Sequence, residues 1–294
     1  MTDSRRLPNF LVIGAMKAGT TSLFNYLALH PDVATGATKE IEFFSRDDRW
    51  SRGVSWYSEF FTYAGDARAV GECSTGYTKY PQFPDAPARI AETLSDVRLV
   101  YVVRDPIERI RSHYEHAVLA GVETRSIDEA VTTTPEYVDI SSYARQVHRY
   151  LDAFDAARIL VASASDLRER RRSTLARIFA FLDVDPNWWT PLYDHEHYVT
   201  DSRPDLRATS KRVLSLAPVR TASRVLAPRT RARLARTRLF SRPRVIAERP
   251  TISDSLRREL QARLADDVAE FRHLCATTLR APSIGDGWVV QDED

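Results

Sequence analysis

FLVIGAMKAGTTS, residues 10–22, joins an apolar run to a glycine-bracketed turn and a hydroxyl-rich helix start. The run Phe10–Ile13 predicts a buried strand. Gly14 and Gly19 let the backbone turn tightly and present N–H groups to an anion. A helix that begins after Gly19 adds unpaired amides and the positive end of its dipole. The stretch therefore predicts a phosphate-binding loop at the carboxyl end of a strand.

The loop differs from an ordinary nucleotide-binding loop in the place of its lysine. In the ordinary loop the lysine follows the second glycine and reaches the outer phosphates of a triphosphate, and the next hydroxyl binds magnesium. Here Thr20 and Thr21 follow Gly19, and the lysine is Lys17. Lys17 would then lie near an inner phosphate, where its charge suits stabilisation of a departing phosphate oxygen. For the loop alone, a chance Gly/Thr-rich turn is the alternative.

Short apolar runs at 10–13, 69–70, 99–103 and 159–161 punctuate the first part of the chain, and segments with helical spacing separate them. Such alternation is typical of a parallel sheet covered on both faces by helices. Ligands of such sheets bind beyond the carboxyl ends of the strands. We therefore predict an α/β fold and a single domain over residues 1–294, with an appendage.

A helix-start signal follows the third run. Asp105 can cap the helix, and Pro106 suits its first position. Ser112 lies on the side of this helix that carries Asp105, away from the apolar stripe. Arg104 and Ser112 can therefore face one cleft, where a guanidinium and a hydroxyl would grip a phosphate. A surface ion pair and a solvent-facing serine are the alternative.

The composition narrows the class of protein. The chain has 294 residues, of which 43% are hydrophobic, and a formal net charge of +2, so it can bury a substantial core. Cys73 and Cys275 are its only cysteines, which makes a disulfide scaffold or a cysteine-based metal site unexpected. Neither a secretory signal nor a run of about 18 apolar residues is apparent. We expect a cytoplasmic protein without a metal site.

Basic residues greatly outnumber acidic ones between Arg203 and Arg249. We call residues 203–249 the basic arm. Interspersed leucines would let part of it form an amphipathic helix attracted to anionic membrane surfaces or acidic ligands. A peripheral position at the inner membrane surface is therefore one prediction, and a solvated arm or lid without a partner is the alternative.

Two motifs, GAMKAGTTSL at 14–23 and LVYVVRDPIERIRSHY at 99–114, resemble the cofactor-binding signatures of sulfotransferases that use 3'-phosphoadenosine 5'-phosphosulfate (PAPS). Segments between and after them are similar to the carbohydrate branch, which includes the heparan sulfate glucosamine sulfotransferases, and to its bacterial members. The likeness covers about residues 9–200. These segments are HPDV at 30–33, KEIEFF at 39–44, RGVSWYSEFF at 52–61, SSYARQVHRYLDAF at 141–154 and RILVASASDLRERRRSTLARIFAFLDVD at 158–185.

The resemblance implies the P-loop-like sulfotransferase fold and a set of donor contacts. Lys17 would contact the bridging oxygen and the 5'-phosphate, while Arg104 and Ser112 would hold the 3'-phosphate. A magnesium ion is not needed, because the donor carries a phosphosulfate anhydride instead of a triphosphate. The implied donor-binding residues are Lys17, Ala18, Gly19, Thr20, Thr21, Ser22, Arg104, Ser112 and Arg203, with Arg207 as an alternative to the last.

The reaction implied by the resemblance is in-line transfer of a sulfuryl group to a hydroxyl, or less expectedly an amine, of a carbohydrate, glycolipid or glycosylated metabolite. Glu40 matches the glutamate that serves as base in the similar heparan sulfate enzymes, and Lys17 is the second catalytic residue. Glu42 stands where some relatives have a histidine. Cys73 follows Glu72 where some have a lysine, and a small buried filler is expected there.

Some features have competing interpretations. Aromatic residues, among them Trp56, could line a sugar site, although such density usually means core packing. The cluster His195–His197 is unlike a closed metal site. A magnesium-dependent kinase or nucleotide hydrolase could use Asp105 as its metal-binding acid. A non-catalytic anion- or nucleic-acid-binding protein would rely on the basic arm. We expect no nucleic-acid partner, and the oligomeric state stays open.

Overall fold

A parallel sheet of five strands forms the centre of the molecule, with strand order β2-β3-β1-β4-β5. The computed structural model describes residues 6–194, 204–206, 241–243, 249–279, 281, 284 and 288. The strands are β1 (Phe10–Gly14), β2 (Val33–Thr35), β3 (Ala69–Cys73), β4 (Arg98–Val103) and β5 (Ile159–Ser163).

Helices connect the strands. The α-helices are α1 (Thr20–Leu27), α2 (Asp47–Trp50), α3 (Gly53–Ser58), α4 (Ala86–Thr93), α5 (Pro106–Leu119), α6 (Ile127–Thr133), α7 (Glu136–Asp139), α8 (Tyr143–Leu151), α9 (Ala164–Glu169), α10 (Arg171–Phe181) and α11 (Asp254–Thr277). Short 3-10 turns cover Glu59–Phe61, Thr75–Thr78, Ala156–Arg158 and Pro191–Asp194.

The predicted α/β class is confirmed, and each predicted apolar run is a strand. The sequence pattern missed β2. This strand has three residues at the edge of the sheet, and among them only Val33 is buried. A strand this short carries too little apolar character to be read from its pattern.

The carboxyl ends of the central strands are tied together by backbone hydrogen bonds. The Ala15 amide, just beyond β1, donates to the Val102 carbonyl of β4 at 2.6 Å. On the other side, the Ser74 amide, just beyond β3, donates to the Val12 carbonyl at 3.2 Å. The segments that leave β1, β3 and β4 therefore emerge side by side at one edge of the sheet.

The last helix docks on the middle of the chain through a carboxylate. Asp267 of α11 accepts hydrogen bonds from the Ala144 and Arg145 amides in the first turn of α8, at 3.1 and 2.9 Å. Ser142, the residue before α8, makes no side-chain hydrogen bond to the helix. Asp267 therefore caps α8 in its place. This contact joins α11 to the sheet-bearing part of the domain.

The basic arm falls largely outside the described residues. Within it the structure describes the backbone of β6 (Pro204–Leu206) and β7 (Ser241–Pro243), which pair antiparallel. The predictions of an amphipathic helix and of membrane contact concern residues outside the described ranges, as do those for Arg203 and Arg207.

We expect Asp267→Ala to lower the free energy of unfolding by about 1–2 kcal/mol, because two amides of α8 lose their acceptor. Thermal or urea unfolding followed by circular dichroism measures the change. Asp266→Ala is the matched control, since Asp266 is the exposed neighbour on the same helix. Equal losses in the two variants would contradict the capping role.

Candidate functional site

The loop between β1 and α1 presents backbone amides at the carboxyl edge of the sheet. Gly19, the residue before α1, has a φ of 94°, and α1 has neither a side-chain cap nor an acidic residue in its first turn. Its first amides and its positive dipole end are therefore available to an anion. Ala18 and Thr20 are buried, whereas Lys17, Thr21 and Ser22 are partly exposed.

Gly14 permits the loop to pass close to the turn that follows β3. Its φ is 155°, and a Cβ atom built on it would lie 1.9 Å from Oγ1 of Thr78. That hydroxyl donates to the Ile13 carbonyl at 3.0 Å. A side chain at this position would therefore collide with a group that holds the end of β1.

A buried guanidinium lies beneath the loop. Arg109 of α5 is fully buried and donates to Oγ of Ser141 and to the Tyr137 carbonyl, both at 2.5 Å, and to the Met16 carbonyl at 3.5 Å. Burial lowers the pKa of Arg109 to about 10, so it stays charged at neutral pH. The charge thus lies next to Lys17, whose φ of 69° places it in the left-handed region.

The predicted helix start after β4 is confirmed. Oδ1 of Asp105 accepts from the Glu108 amide at 2.8 Å, and α5 begins at Pro106. Arg104 is fixed at its backbone by the Tyr143 hydroxyl, which donates to its carbonyl at 2.8 Å, and its guanidinium lies 3.4 Å from Glu108. Arg104 therefore projects from the segment that lies beside the loop after β1.

Ser112 is buried on α5, so the solvent-facing alternative is wrong. Its neighbour His113 is also buried, and Nδ1 of His113 has no hydrogen-bond partner among the described residues. Burial, helped by the charges of Arg109 and Lys79, lowers the pKa of His113 to about 2. The imidazole is therefore neutral, and it lies close enough to Lys17 for that charge to contribute.

Glu40 lies against the turn that follows β3. Its Oε2 accepts from the backbone amide of Thr75 at 2.8 Å and from Oγ1 of Thr75 at 3.2 Å, and its Oε1 pairs with the Lys39 ammonium. Burial opposes ionisation, but the neighbouring Glu42 and the Lys39 ammonium outweigh it and lower the pKa of Glu40. Its side chain is 37% exposed, so this held carboxylate still reaches solvent.

Glu42 contacts the same turn one residue further on. Its Oε1 accepts from the Gly76 amide at 3.1 Å, and Oγ of Ser45 donates to its Oε2 at 2.5 Å. Burial and the neighbouring Glu40 raise the pKa of Glu42. The residue that replaces a histidine of some relatives is therefore a second carboxyl beside the predicted base.

A third carboxyl, Glu72, lies fully inside the protein at the end of β3. The hydroxyls of Tyr57 and Tyr77 donate to its Oε1 at 3.0 and 2.5 Å, and Oγ of Ser74 donates to its Oε2 at 2.5 Å. Burial raises the pKa of Glu72 to about 7 in spite of these bonds. Cys73 is buried beside it, as predicted for a small filler.

The aromatic residues near this edge are mainly core. Phe43, Phe44 and Tyr57 are fully buried and pack on one another. Trp56 is partly exposed, and the Arg52 guanidinium lies 4.2 Å from the centre of one of its rings. For the first three residues the core-packing interpretation is confirmed. The cluster at 195–197 lies outside the described ranges.

The model of the sulfotransferase domain family matches residues 7–202. The chain belongs to this family. The match includes both motifs that carry the predicted resemblance and the segment of Glu40 and Glu42.

Curated relatives agree with the predicted likeness to the carbohydrate branch. Heparan sulfate glucosamine 3-O-sulfotransferase 3B1 of Homo sapiens is 29% identical over 193 residues, which cover 62% of this chain and 48% of that protein. Membrane-associated sulfotransferase kil1 of Dictyostelium discoideum is 38% identical over 115 residues, 38% of this chain and 23% of that protein. The matches thus span half or less of these relatives.

A solved structure extends the agreement in fold over most of the chain. The sulfotransferase of Alicyclobacillus acidocaldarius superposes with a TM-score of 0.66 at 24% identity, covering 94% of this chain and 97% of that one. The P-loop-like sulfotransferase fold is thereby confirmed. The predicted bacterial origin stays a prediction. Among the helices in the described ranges, none has the length and apolar character needed to cross a bilayer.

The buried Glu72 predicts a dependence of stability on pH. The fold raises its pKa from 4.5 to about 7, so the folded protein keeps a proton that the unfolded chain releases. The free energy of unfolding therefore falls as the pH rises through about 7. The total loss is on the order of 3 kcal/mol.

Urea unfolding at pH 5 and pH 8 measures this loss. We expect Glu72→Gln to remove most of it, because the amide has no proton to lose, whereas the exposed control Glu59→Gln should follow the unsubstituted protein. A loss as large in Glu72→Gln as in the unsubstituted protein would assign the pH dependence to other groups.

Proposed function

We propose that this protein transfers a sulfuryl group from PAPS to a hydroxyl of a carbohydrate, glycolipid or glycosylated metabolite. One observation carries the proposal: an anion-binding loop after β1 and a hydrogen-bonded carboxylate, Glu40, occupy the same edge of the sheet in a chain of the sulfotransferase family. A sulfuryl transferase needs a phosphate grip and a nearby base.

The donor fits the residues of this edge. The amides of Ala18, Gly19, Thr20 and Thr21, with the hydroxyls of Thr20, Thr21 and Ser22, would hold the 5'-phosphate at the start of α1. The absence of a carboxylate cap or acidic residue in the first turn of this helix supports the assignment, because a carboxylate would compete with the phosphate. The buried charge of Arg109 beneath the loop adds attraction for anions.

A 3'-phosphate would lie beside the segment that leaves β4. Arg104 offers a planar guanidinium for this phosphate. Ser112, further along the chain in α5, offers a hydroxyl. The bond from the Ala15 amide to the Val102 carbonyl brings this segment next to the loop. The assignment explains how the protein would distinguish its donor from common adenine nucleotides.

The chemistry would divide between a base and a cation. Glu40 would accept the proton of the attacking hydroxyl, and Lys17 would stabilise the negative charge that develops on the departing phosphate oxygen. The contacts of Glu40 to Thr75 hold it at the turn after β3, while its exposed fraction lets a substrate reach it. The basic arm would attract an anionic or membrane-borne acceptor.

The relatives support a carbohydrate as the acceptor. Several are named as heparan sulfate enzymes, some for 3-O-sulfation and some for N-sulfation. A hydroxyl is preferred here because a carboxylate base suits removal of a hydroxyl proton, whereas an amine must first lose its own charge. Transfer of sulfate to heparosan-derived oligosaccharides, scored by mass spectrometry, tests the acceptor class. If none of these oligosaccharides is modified, the carbohydrate acceptor is not supported. A screen of cell extracts for sulfated products would then identify the acceptor class.

Donor selectivity tests the role of Arg104. We expect calorimetry without magnesium to show tighter binding of 3'-phosphoadenosine 5'-phosphate (PAP) than of adenosine 5'-phosphate. Arg104→Ala should reduce PAP affinity by about 10- to 100-fold, the equivalent of one charge-assisted contact, with little effect on the nucleotide that lacks the 3'-phosphate.

Arg158→Ala is the matched control, because Arg158 forms an ion pair with Asp96 at the start of β5, at the opposite edge of the sheet. Equal loss of both nucleotides in Arg104→Ala would place Arg104 elsewhere. Binding of ATP that requires magnesium and exceeds that of PAP would favour the kinase alternative.

Glu40→Gln tests the base. We expect kcat to fall by about 100-fold or more with PAP affinity unchanged, since general-base catalysis contributes about 10²- to 10⁴-fold. Transfer from radiolabelled PAPS to the oligosaccharides gives kcat, and calorimetry gives the affinity for PAP. The exposed Glu59→Gln is the control. Full turnover in Glu40→Gln would show that another group accepts the proton.

A further inference from the structure

Glu40 and Glu42 are held by successive residues of one turn. Glu40 accepts from the amide of Thr75, and Glu42 accepts from the amide of Gly76. Both glutamates have left-handed backbones, with φ of 62° and 57°. These two non-glycine residues, with Ile41 between them, lie in a backbone region that is costly for them, so surrounding contacts must offset the strain.

The two carboxyl groups are held side by side, because the amides from which they accept belong to successive residues, and each shifts the pKa of the other. Since an ionised carboxylate only accepts hydrogen bonds, a bond between two carboxyl groups needs a proton on one of them. Two charged carboxylates held on successive amides of one turn would repel each other. The arrangement therefore holds one proton and one negative charge.

We propose that Glu40 and Glu42 form a carboxyl–carboxylate pair in which Glu42 carries the proton and holds Glu40, the base, in position. The catalytic part of this inference depends on the proposed function. Glu42 is thus a positioning residue that acts through Glu40.

The donors around the pair decide where the proton lies. Glu40 receives the Thr75 amide, the Thr75 hydroxyl and the Lys39 ammonium, whereas the donors to Glu42 among the described residues are the Gly76 amide and the Ser45 hydroxyl. The carboxyl with more donors and a cation keeps the negative charge.

Other titratable groups around the pair agree with this assignment. The titratable groups that interact electrostatically with the pair are Glu72 and Cys73 at the end of β3, Tyr77 in the turn and Tyr150 of α8. The Arg49 guanidinium is directed to the backbone carbonyls of Glu40 and Ile41 instead of the carboxyls. Burial keeps the two tyrosines and the thiol neutral, since it raises the pKa of each. Within the described part of the chain, the ion pair at these carboxyl groups joins the Lys39 ammonium to Glu40.

Gly76 makes room for the second carboxyl. A Cβ atom built on Gly76 would lie 1.8 Å from Oε2 of Glu42 and 2.9 Å from Oγ of Ser45. Any side chain there would push Glu42 out of the turn. The glycine at position 76 is therefore what leaves space for the Glu42 carboxyl in this turn.

In this pair, Glu40 is the group that accepts the proton of the acceptor hydroxyl. As the acceptor oxygen bonds to sulfur, the bridging sulfur–oxygen bond breaks and its electron pair goes to the 5'-phosphate oxygen of PAP. The hydroxyl proton passes to Glu40, so that both carboxyls are neutral until one proton is released to water. Because the O–H of Glu42 points at Glu40, the base stays oriented before the step.

The first experiment follows the carboxyls directly in the PAP-bound protein. Carbon-13 NMR of glutamate labelled at the δ-carbon, recorded as a function of pH, gives the titration midpoint of each carboxyl group. The variants Glu40→Gln and Glu42→Gln assign the signals. We expect Glu42 to titrate above the usual range of glutamate and to shift downward in Glu40→Gln, where the neighbouring charge is gone. Glu72→Gln removes the third buried carboxyl from the spectra as a control.

The second experiment follows kcat against pH with saturating PAPS and the oligosaccharide acceptor. In the unsubstituted protein we expect kcat to rise as Glu40 ionises and to fall as Glu42 loses its proton, because the two carboxylates then repel each other. Glu42→Gln should lose the alkaline fall, since its amide N–H cannot ionise. Glu42→Leu, which cannot donate, should lower kcat at every pH with PAP affinity retained.

The outcomes separate this inference from the proposed function. A titration midpoint for Glu42 in the usual range of glutamate, unchanged in Glu40→Gln, would overturn the pair. The proposal that Glu40 acts as the base would then still stand. An alkaline fall that persists in Glu42→Gln would also overturn it. A coupled titration together with full turnover in Glu40→Gln would instead keep the pair and refute the assignment of the base.

Discussion

The alignment of β1 between β3 and β4 is the constraint on which the site depends. Parallel pairing sends the carboxyl ends of all three strands to one edge, and the bonds from Ala15 to Val102 and from Ser74 to Val12 fix the segments just beyond them. The loop after β1, the turn at 74–78 and Arg104 come together because of this pairing. Short segments of the chain that are distant in sequence thereby become neighbours at one edge of the sheet.

Charge is distributed unevenly across this edge. Arg109, buried beneath the loop, and the neutral His113 lie on the side of α5, whereas carboxyl groups gather on the side of β3. A phosphate-bearing donor would be attracted to the first side, and an acceptor proton to the second. The chain belongs to the sulfotransferase family, and the two sides carry the two kinds of group that the proposed transfer requires.

Burial of polar groups has a cost that this fold meets with hydrogen bonds. Glu72 is satisfied by three hydroxyls, and the backbone amides of the turn after β3 satisfy Glu40 and Glu42. These bonds offset the strain of the left-handed backbone at both glutamates. The same contacts that stabilise the turn therefore keep the carboxyls at the edge of the sheet, where Glu40 stays partly exposed.

The sequence by itself determined the α/β class, the apolar strands, the cap at Asp105 and the loop around Lys17, because periodicity, capping and glycine placement act over a few neighbouring residues. Its motifs also identified the family. The edge strand β2, the burial of His113, the charge of Arg109 under the loop and the pairing of Glu40 with Glu42 were decided by tertiary structure. Each depends on groups far apart in the chain or on desolvation, which no local pattern encodes.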